Sequence, residues 1–136
     1  MPPIFKVPGN SKIIIGDRVN LDSHPSKLHI PIASRCKLVC GMEGIIKIGA
    51  NRILNGVGIK SYKKVSIGKN CLISSNTFTT DTYLHPIDPE QRQKVSMGYK
   101  TDFNSVIKKE ISIGDNVWIG WGAIVLKGVS IGNNSI

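Results

Sequence analysis

Ile113-Gly114-Asp115-Asn116-Val117-Trp118, Ile119-Gly120-Trp121-Gly122-Ala123-Ile124, Val125-Leu126-Lys127-Gly128-Val129-Ser130 and Ile131-Gly132-Asn133-Asn134-Ser135-Ile136 are four consecutive sixes in one phase. The first position is always Ile or Val, the second is Gly in three of the four, and the fifth is small or β-branched. A period of six suits neither a helix at 3.6 residues per turn nor a long strand at 2.0. It suits a short strand and a turn: the leading Ile or Val faces inward, and Gly or Asn, which tolerate positive φ, rounds the corner. Stacked turns of this kind bury their apolar positions as a continuous column. The competing architecture is an antiparallel sandwich of Gly-Asn hairpins, whose strands would be only about three or four residues long.

Working outward, the frame recurs at Ile67-Gly68-Lys69-Asn70-Cys71-Leu72 and Ile73-Ser74-Ser75-Asn76-Thr77-Phe78. It is looser at Ile48-Gly49-Ala50-Asn51 and Ile15-Gly16-Asp17-Arg18-Val19, so the coil is expected from about Ile13 onward. At 136 residues the chain has room for one core, and a single domain over 1–136 is expected. No signal-peptide pattern opens the sequence and no run of about 18 apolar residues occurs in it, so a cytoplasmic protein without a membrane span is expected. Cys36, Cys40 and Cys71 match no paired zinc or disulfide pattern and read as reduced, buried thiols. The net charge of +9 makes an anionic partner plausible. Nucleic acid is not expected, because the basic residues (Lys60, Lys63, Lys64, Lys69, Lys108, Lys109) are organised by no helix-turn-helix, finger or aromatic RNA-binding signature. The phosphates of a cofactor are one possible beneficiary.

Ile67 and Ile113 stand forty-six positions apart, which is not a multiple of six, so something leaves the coil between them. An excursion loop around residues 79–110, with no evident structure of its own, accounts for the break. Loops of this length are usually functional or disordered. His85 stands out there, because a neutral imidazole can take a proton from a hydroxyl near pH 7. By its chemistry alone it could equally be an idle loop histidine. Asp81 and Asp88 are both candidates to orient the imidazole, and either reads equally well as a solvated carboxylate.

Tandem Ile-Gly-x-x-[small]-x resembles the hexapeptide signature of left-handed parallel β-helix transferases. The expected fold is therefore all-β, with three sixes to a triangular coil. The left hand comes from the resemblance alone, since the general rule for parallel crossovers gives the opposite one. His85-Pro86-Ile87 on a loop, followed by Ile111-Ser112-Ile113-Gly114-Asp115-Asn116-Val117-Trp118-Ile119-Gly120, resembles the galactoside and maltose O-acetyltransferases. The resemblance implies an acetyl-CoA-dependent O-acetyltransferase, acting on a hydroxyl of a sugar or polysaccharide precursor, with His85 as general base and no metal. It places Trp118 against acceptor and acetyl-CoA. It puts the backbone N–H of Trp121, beside Gly120, on the thioester oxyanion, although relatives carry a small residue where Trp121 stands. Asn55 matches an acceptor-contacting asparagine once a one-residue gap is allowed. The resemblance further implies a homotrimer with sites between subunits, His85 of one chain facing Trp118 of the next.

Relatives continue with further coils, an Ala-Gly-Ser-like turn, a Lys near the cofactor phosphates and a Gly-x-Pro-Ala tail. This sequence stops at Ile136, the last position of the fourth six, without that continuation, so the domain is expected to be truncated at that end. Two other functions compete. One is a solenoid that binds without catalysis, with both tryptophans merely packing on corners of the coil. The other is a γ-class carbonic anhydrase-like zinc enzyme using His24 and His29, against which His85 lies too far downstream.

Overall fold

The leading hexad residues point inward, and their columns define three faces. The computed structural model describes residues 1–21, 23–24 and 35–136. Its first face stacks β1 (Ile4–Lys6), β4 (Lys37–Cys40), β7 (Gly58–Ser61), β10 (Phe78–Thr80) and β13 (Ile124–Leu126) in that order. The second face stacks β2 (Lys12–Ile15), β5 (Ile45–Ile48), β8 (Lys64–Ile67), β11 (Ile111–Ile113) and β14 (Ser130–Ile131). The third stacks β3 (Val19–Asn20), β6 (Arg52–Leu54), β9 (Leu72–Ile73) and β12 (Trp118–Ile119). Every pairing between these strands is parallel. The fold is a left-handed parallel β-helix. It begins at Ile4, ahead of the Ile13 that the hexad frame suggests, because β1 pairs with β4 although neither carries the motif.

On the second face Ile15, Ile48, Ile67, Ile113 and Ile131 lie in one register column. Leu38, Ile59, Thr79 and Val125 form the matching column of the first face, and Leu54, Ile73 and Ile119 that of the third. Each fully buried Ile or Leu in these columns is worth about 1.5–3 kcal/mol. The three cysteines are buried and unpaired, as expected.

The edge between the second and third faces is uniform. Arg18, Asn51, Asn70, Asn116 and Asn134 occupy it at φ between 55° and 62°. Asn is one of the few side chains that visits this left-handed region readily. Two rungs bond directly, Asn51 Nδ2 to Asn70 Oδ1 at 3.0 Å and Asn116 Nδ2 to Asn134 Oδ1 at 2.9 Å. The glycine two residues earlier in each turn permits the close approach: a Cβ on Gly49 would lie 2.8 Å from the Gly68 carbonyl oxygen.

The edge between the first and second faces carries the excursion. It leaves after Thr80 and rejoins at Ile111, so Thr79 and Thr80, expected in the loop, belong to β10. Its base is closed by an antiparallel bridge between Thr82 and Lys108 and by Lys109 N–H donating to Asp81 O at 2.9 Å. The segment also has structure of its own: α1 (Pro89–Ser96), with Asp88 as N-cap accepting from Gln91 N–H at 2.9 Å and Pro89 opening the helix. No α1 side chain is buried. The loop is anchored instead by Val106, which is buried, and by Phe103, whose ring stacks on Tyr62 at 4.6 Å.

Candidate active site

His85 is exposed on the excursion and makes no hydrogen bond with another described residue. The backbone presents it. Leu84 sits at φ 68°, a conformation costing a bulky side chain about 1–2 kcal/mol, and its N–H donates to Thr82 Oγ1 at 3.2 Å. Pro86 is buried on the other side and keeps His85 out of helical geometry. A strained residue before His85 and an anchored proline after it fix where the imidazole leaves the coil.

Neither carboxylate proposed to orient His85 points to it. Asp81 is fully buried and accepts from Ser61 Oγ at 2.7 Å, Tyr62 N–H at 2.8 Å and Lys63 N–H at 2.8 Å. It ties the start of the excursion to the turn of the coil below, and with burial it pushes the Tyr62 phenol above its usual range, burial being the larger cause. Asp88 caps α1. Both are structural acceptors for backbone amides.

The other expected site residues gather along a different edge, between the third and first faces. Register places Asn55, Ser75 and Trp121 in one column there, with Asn55 and Trp121 two coil steps, about 10 Å, apart. Trp118 lies beside it on the third face, 50% exposed, its Nε1–H donating to Ser74 Oγ at 3.3 Å. Trp121 is 58% exposed, and its backbone N–H donates to no other described residue, whereas the next amide, Gly122 N–H, bonds Ser75 O at 3.0 Å. A Cβ added at Gly120 or Gly122 would meet nothing within 4 Å. The edge is thus open, with a free amide donor, two exposed indoles and a nearby amide side chain. The Trp118 indole is hydrogen-bonded to the coil below and half exposed.

His85 and this second cluster therefore flank the first face from its two edges, and the structure does not bring them into contact within one chain. Between them lies a feature that the sequence did not suggest: a cleft of about 340 Å³ lined by Lys6, Lys37, Lys60, Phe78 and Leu84, over Gly58 and Val39. Burial, and then the neighbouring charges of Lys37 and Lys6, lower the Lys60 ammonium below the usual lysine range. These lysines are far apart in sequence and fall on no shared motif, so only strand register could have joined them. His29, which the zinc alternative pairs with His24, lies outside the described residues. No helix among the described residues is long and apolar enough to cross a membrane.

Residues 110–136 match the family model described as the hexapeptide repeat of succinyl-transferase. Among curated proteins, the chain is 35% identical to galactoside O-acetyltransferase of Lactococcus lactis over 53% of its own length and 30% of that protein. It is 36% identical to the galactoside O-acetyltransferase of Escherichia coli over 67% of its length and 40% of that protein. It is 29% identical to the polysialic acid O-acetyltransferase of Neisseria meningitidis over 88% of its length and 54% of that protein. The chain thus spans about half the length, or less, of these relatives. No solved structure matches it.

Proposed function

From a chain that belongs to the hexapeptide-repeat acyltransferase superfamily, we propose an O-acetyltransferase that moves the acetyl group of acetyl-CoA to a hydroxyl of a sugar or polysaccharide precursor. The observation that carries this reading is the presentation of His85, exposed and unpartnered between a left-handed Leu84 and a buried Pro86. A site with this geometry can take the acceptor's hydroxyl proton on an imidazole nitrogen as the oxygen attacks the thioester carbonyl. The carbonyl oxygen, negative at that moment, accepts from the free N–H of Trp121. Collapse expels the thiolate of CoA, and the proton held by His85 passes to that sulfur, which restores the neutral base. Trp118 supplies contact area to the bound substrates, with Asn55 as an amide contact for the acceptor. Gly120, open above its Cα, leaves room for the donor to lie along the edge.

His85→Ala should lower the turnover of acetyl transfer by about 10²- to 10⁴-fold and leave the Kd for acetyl-CoA nearly unchanged. Thiol release from acetyl-CoA with galactoside acceptors, alongside calorimetric binding of CoA, reads both. Near-full activity of the variant from pH 6 to 9 would remove His85 from the mechanism.

Because His85 and the Trp118–Trp121 cluster sit on different edges, the complete site joins His85 of one subunit to the cluster of a neighbour in a homotrimer. Mixing His85→Ala and Trp118→Ala chains through a denaturation and refolding cycle should then regenerate about a quarter of the intact sites, where either variant alone has almost none. A mixture no better than the average of its parents, or a monomer by light scattering at micromolar concentration, would place the whole site within one chain. Function inside the cell's cytoplasm is part of the same reading, since acetyl-CoA is supplied there.

A further inference from the structure

The outer surface of the first face combines three features. It carries Lys6, Lys37 and Lys60 and no carboxylate: none of its five strands contains Asp or Glu. Register sets Lys6 opposite Val39 and Val39 opposite Lys60, while Lys37 stands opposite Gly58. The three lysines thus line a small hollow, floored by Val39 and Gly58 and walled by Phe78; Lys60 Nζ lies 5.6 Å from the Tyr62 ring centroid, and no described acidic side chain pairs with any of the three. Like charges gathered on one surface repel, and burial first, then the charges of Lys37 and Lys6, lower the Lys60 ammonium. Left empty, such an arrangement is unfavourable; an anion in the hollow converts the repulsion into attraction. The remaining wall is Leu84, the strained residue whose carbonyl is joined directly to His85.

We propose that this cleft binds an anionic group of the acceptor, a carboxylate or phosphate borne by the sugar, and so selects acidic glycans over neutral ones at the His85 site. The inference rests on the acetyl-transfer reading for the word acceptor, but the binding itself does not depend on that chemistry. Phe78 and Val39 give an apolar surface for a sugar ring, while the lysines hold its charged substituent. A group anchored there lies next to the residue that fixes His85, which suits delivery of a neighbouring hydroxyl to the imidazole. The lysines are contributed by β1, β4 and β7, three different coils, so they sit on a rigid sheet rather than on a mobile loop.

The experiment compares an oligogalacturonate with the matching neutral galactose oligosaccharide, by calorimetry on the 136-residue protein, for wild type, a triple Lys→Gln variant at 6, 37 and 60, and the triple Lys→Arg variant. The expected result is an affinity for the acidic oligosaccharide at least about tenfold higher, lost in 0.5 M NaCl and in Lys→Gln, and retained in Lys→Arg. Equal affinity for the two glycans, or an acidic preference that survives Lys→Gln, overturns the inference. The donor also carries phosphates, so CoA is titrated in parallel: if Lys→Gln weakens CoA and not the glycan, the cleft serves the donor and the acceptor assignment falls. Lysine-dependent binding of the acidic glycan without any acetyl transfer supports the anion site and counts against the acetyltransferase reading alone. Transfer to the neutral glycan at the same kcat/KM as to the acidic one has the reverse meaning.

Discussion

Two edges of the same prism are built on opposite terms. Between the second and third faces every described turn repeats a glycine and, two residues on, a left-handed residue, and the coils there approach too closely for a Cβ at Gly49, Gly68 or Gly114. Between the first and second faces the turns range from the brief Lys127-Gly128-Val129 to the whole segment 81–110 with its own helix. The uniform edge has no chain to spare and holds the stack together. The irregular edge can vary because Asp81 and the Thr82–Lys108 bridge seal the coil beneath it, so whatever stands on it is released from the work of folding. His85, the base of the proposed reaction, stands on this irregular edge.

Removing the irregular edge breaks this comparison most directly. Replacing residues 84–106 by Asn-Gly between Tyr83 and Ile107 should abolish the proposed acetyl transfer, since the proposed base His85 leaves with the loop. Yet the coil should remain, because Tyr83 N–H already donates to Ile107 O at 3.3 Å and a two-residue turn closes such a pair. Loss of the Phe103–Tyr62 stack and of buried Val106 should cost about 2–4 kcal/mol. A single cooperative melt with the circular dichroism of β-sheet is the expected reading. A trimmed chain that fails to fold would mean that the excursion is part of the coil and that the two edges are not so different.

A pair of glycines sharpens the contrast. Gly68→Ala drives a Cβ into the backbone carbonyl of Gly114, which has no flexible end to move aside, and should cost about 1–3 kcal/mol in chemical denaturation while activity per folded molecule stays the same. Gly120→Ala meets nothing within 4 Å, so stability should hold within about 0.5 kcal/mol, and any loss should appear in KM for acetyl-CoA. Equal effects of the two substitutions on stability would show that the open edge is as tightly stacked as the closed one.

The same division decides what was legible in the sequence. Where a turn repeats in register, the pattern Ile-Gly-x-Asn is visible directly, and residues 67–78 and 113–136 could be placed on the coil from it. Where extra residues enter, the phase is lost: Ile15 pairs with Ile48 and Ile48 with Ile67, spacings that no fixed period predicts, and β1 and β4 went unseen. The helix α1 was legible but passed over, since Asp88-Pro89-Glu90-Gln91 is a capping residue, a first-turn proline and an acidic first turn in order. His85 stands out in the sequence because it sits on the break itself. The roles of Asp81 and Asp88 could not be told apart, because backbone amides that a carboxylate accepts from leave no mark in the sequence. The lysine cleft joins three coils and is a product of register alone. Buried Arg52 is a further case: it stands in the interior column with Val19, Cys71 and Val117, its Nε and Nη2 without partners, where the hexad frame would place an apolar residue.

The smallest expected effect tests the uniform edge at the one rung that departs from it. Arg18 holds φ 55° in the column otherwise occupied by Asn51, Asn70, Asn116 and Asn134. Its side chain is exposed, so the left-handed conformation brings it strain without the local hydrogen bonding that asparagine gains there. The backbone bond from Arg52 N–H to Arg18 O, at 3.2 Å, does not depend on the side chain. Arg18→Asn should therefore keep the turn, relieve the strain and extend the amide ladder toward Asn51, whose Nδ2 is used on Asn70 and whose Oδ1 is left to accept. The gain should be about 0.5 kcal/mol, measured as a rise in the denaturation midpoint at unchanged slope. Arg18→Ala separates the two contributions. It removes the guanidinium without providing the amide, so it should fall below Arg18→Asn and no higher than the parent, and if it instead matches Arg18→Asn, the ladder contributes nothing and the uniformity of this edge lies in its glycines alone.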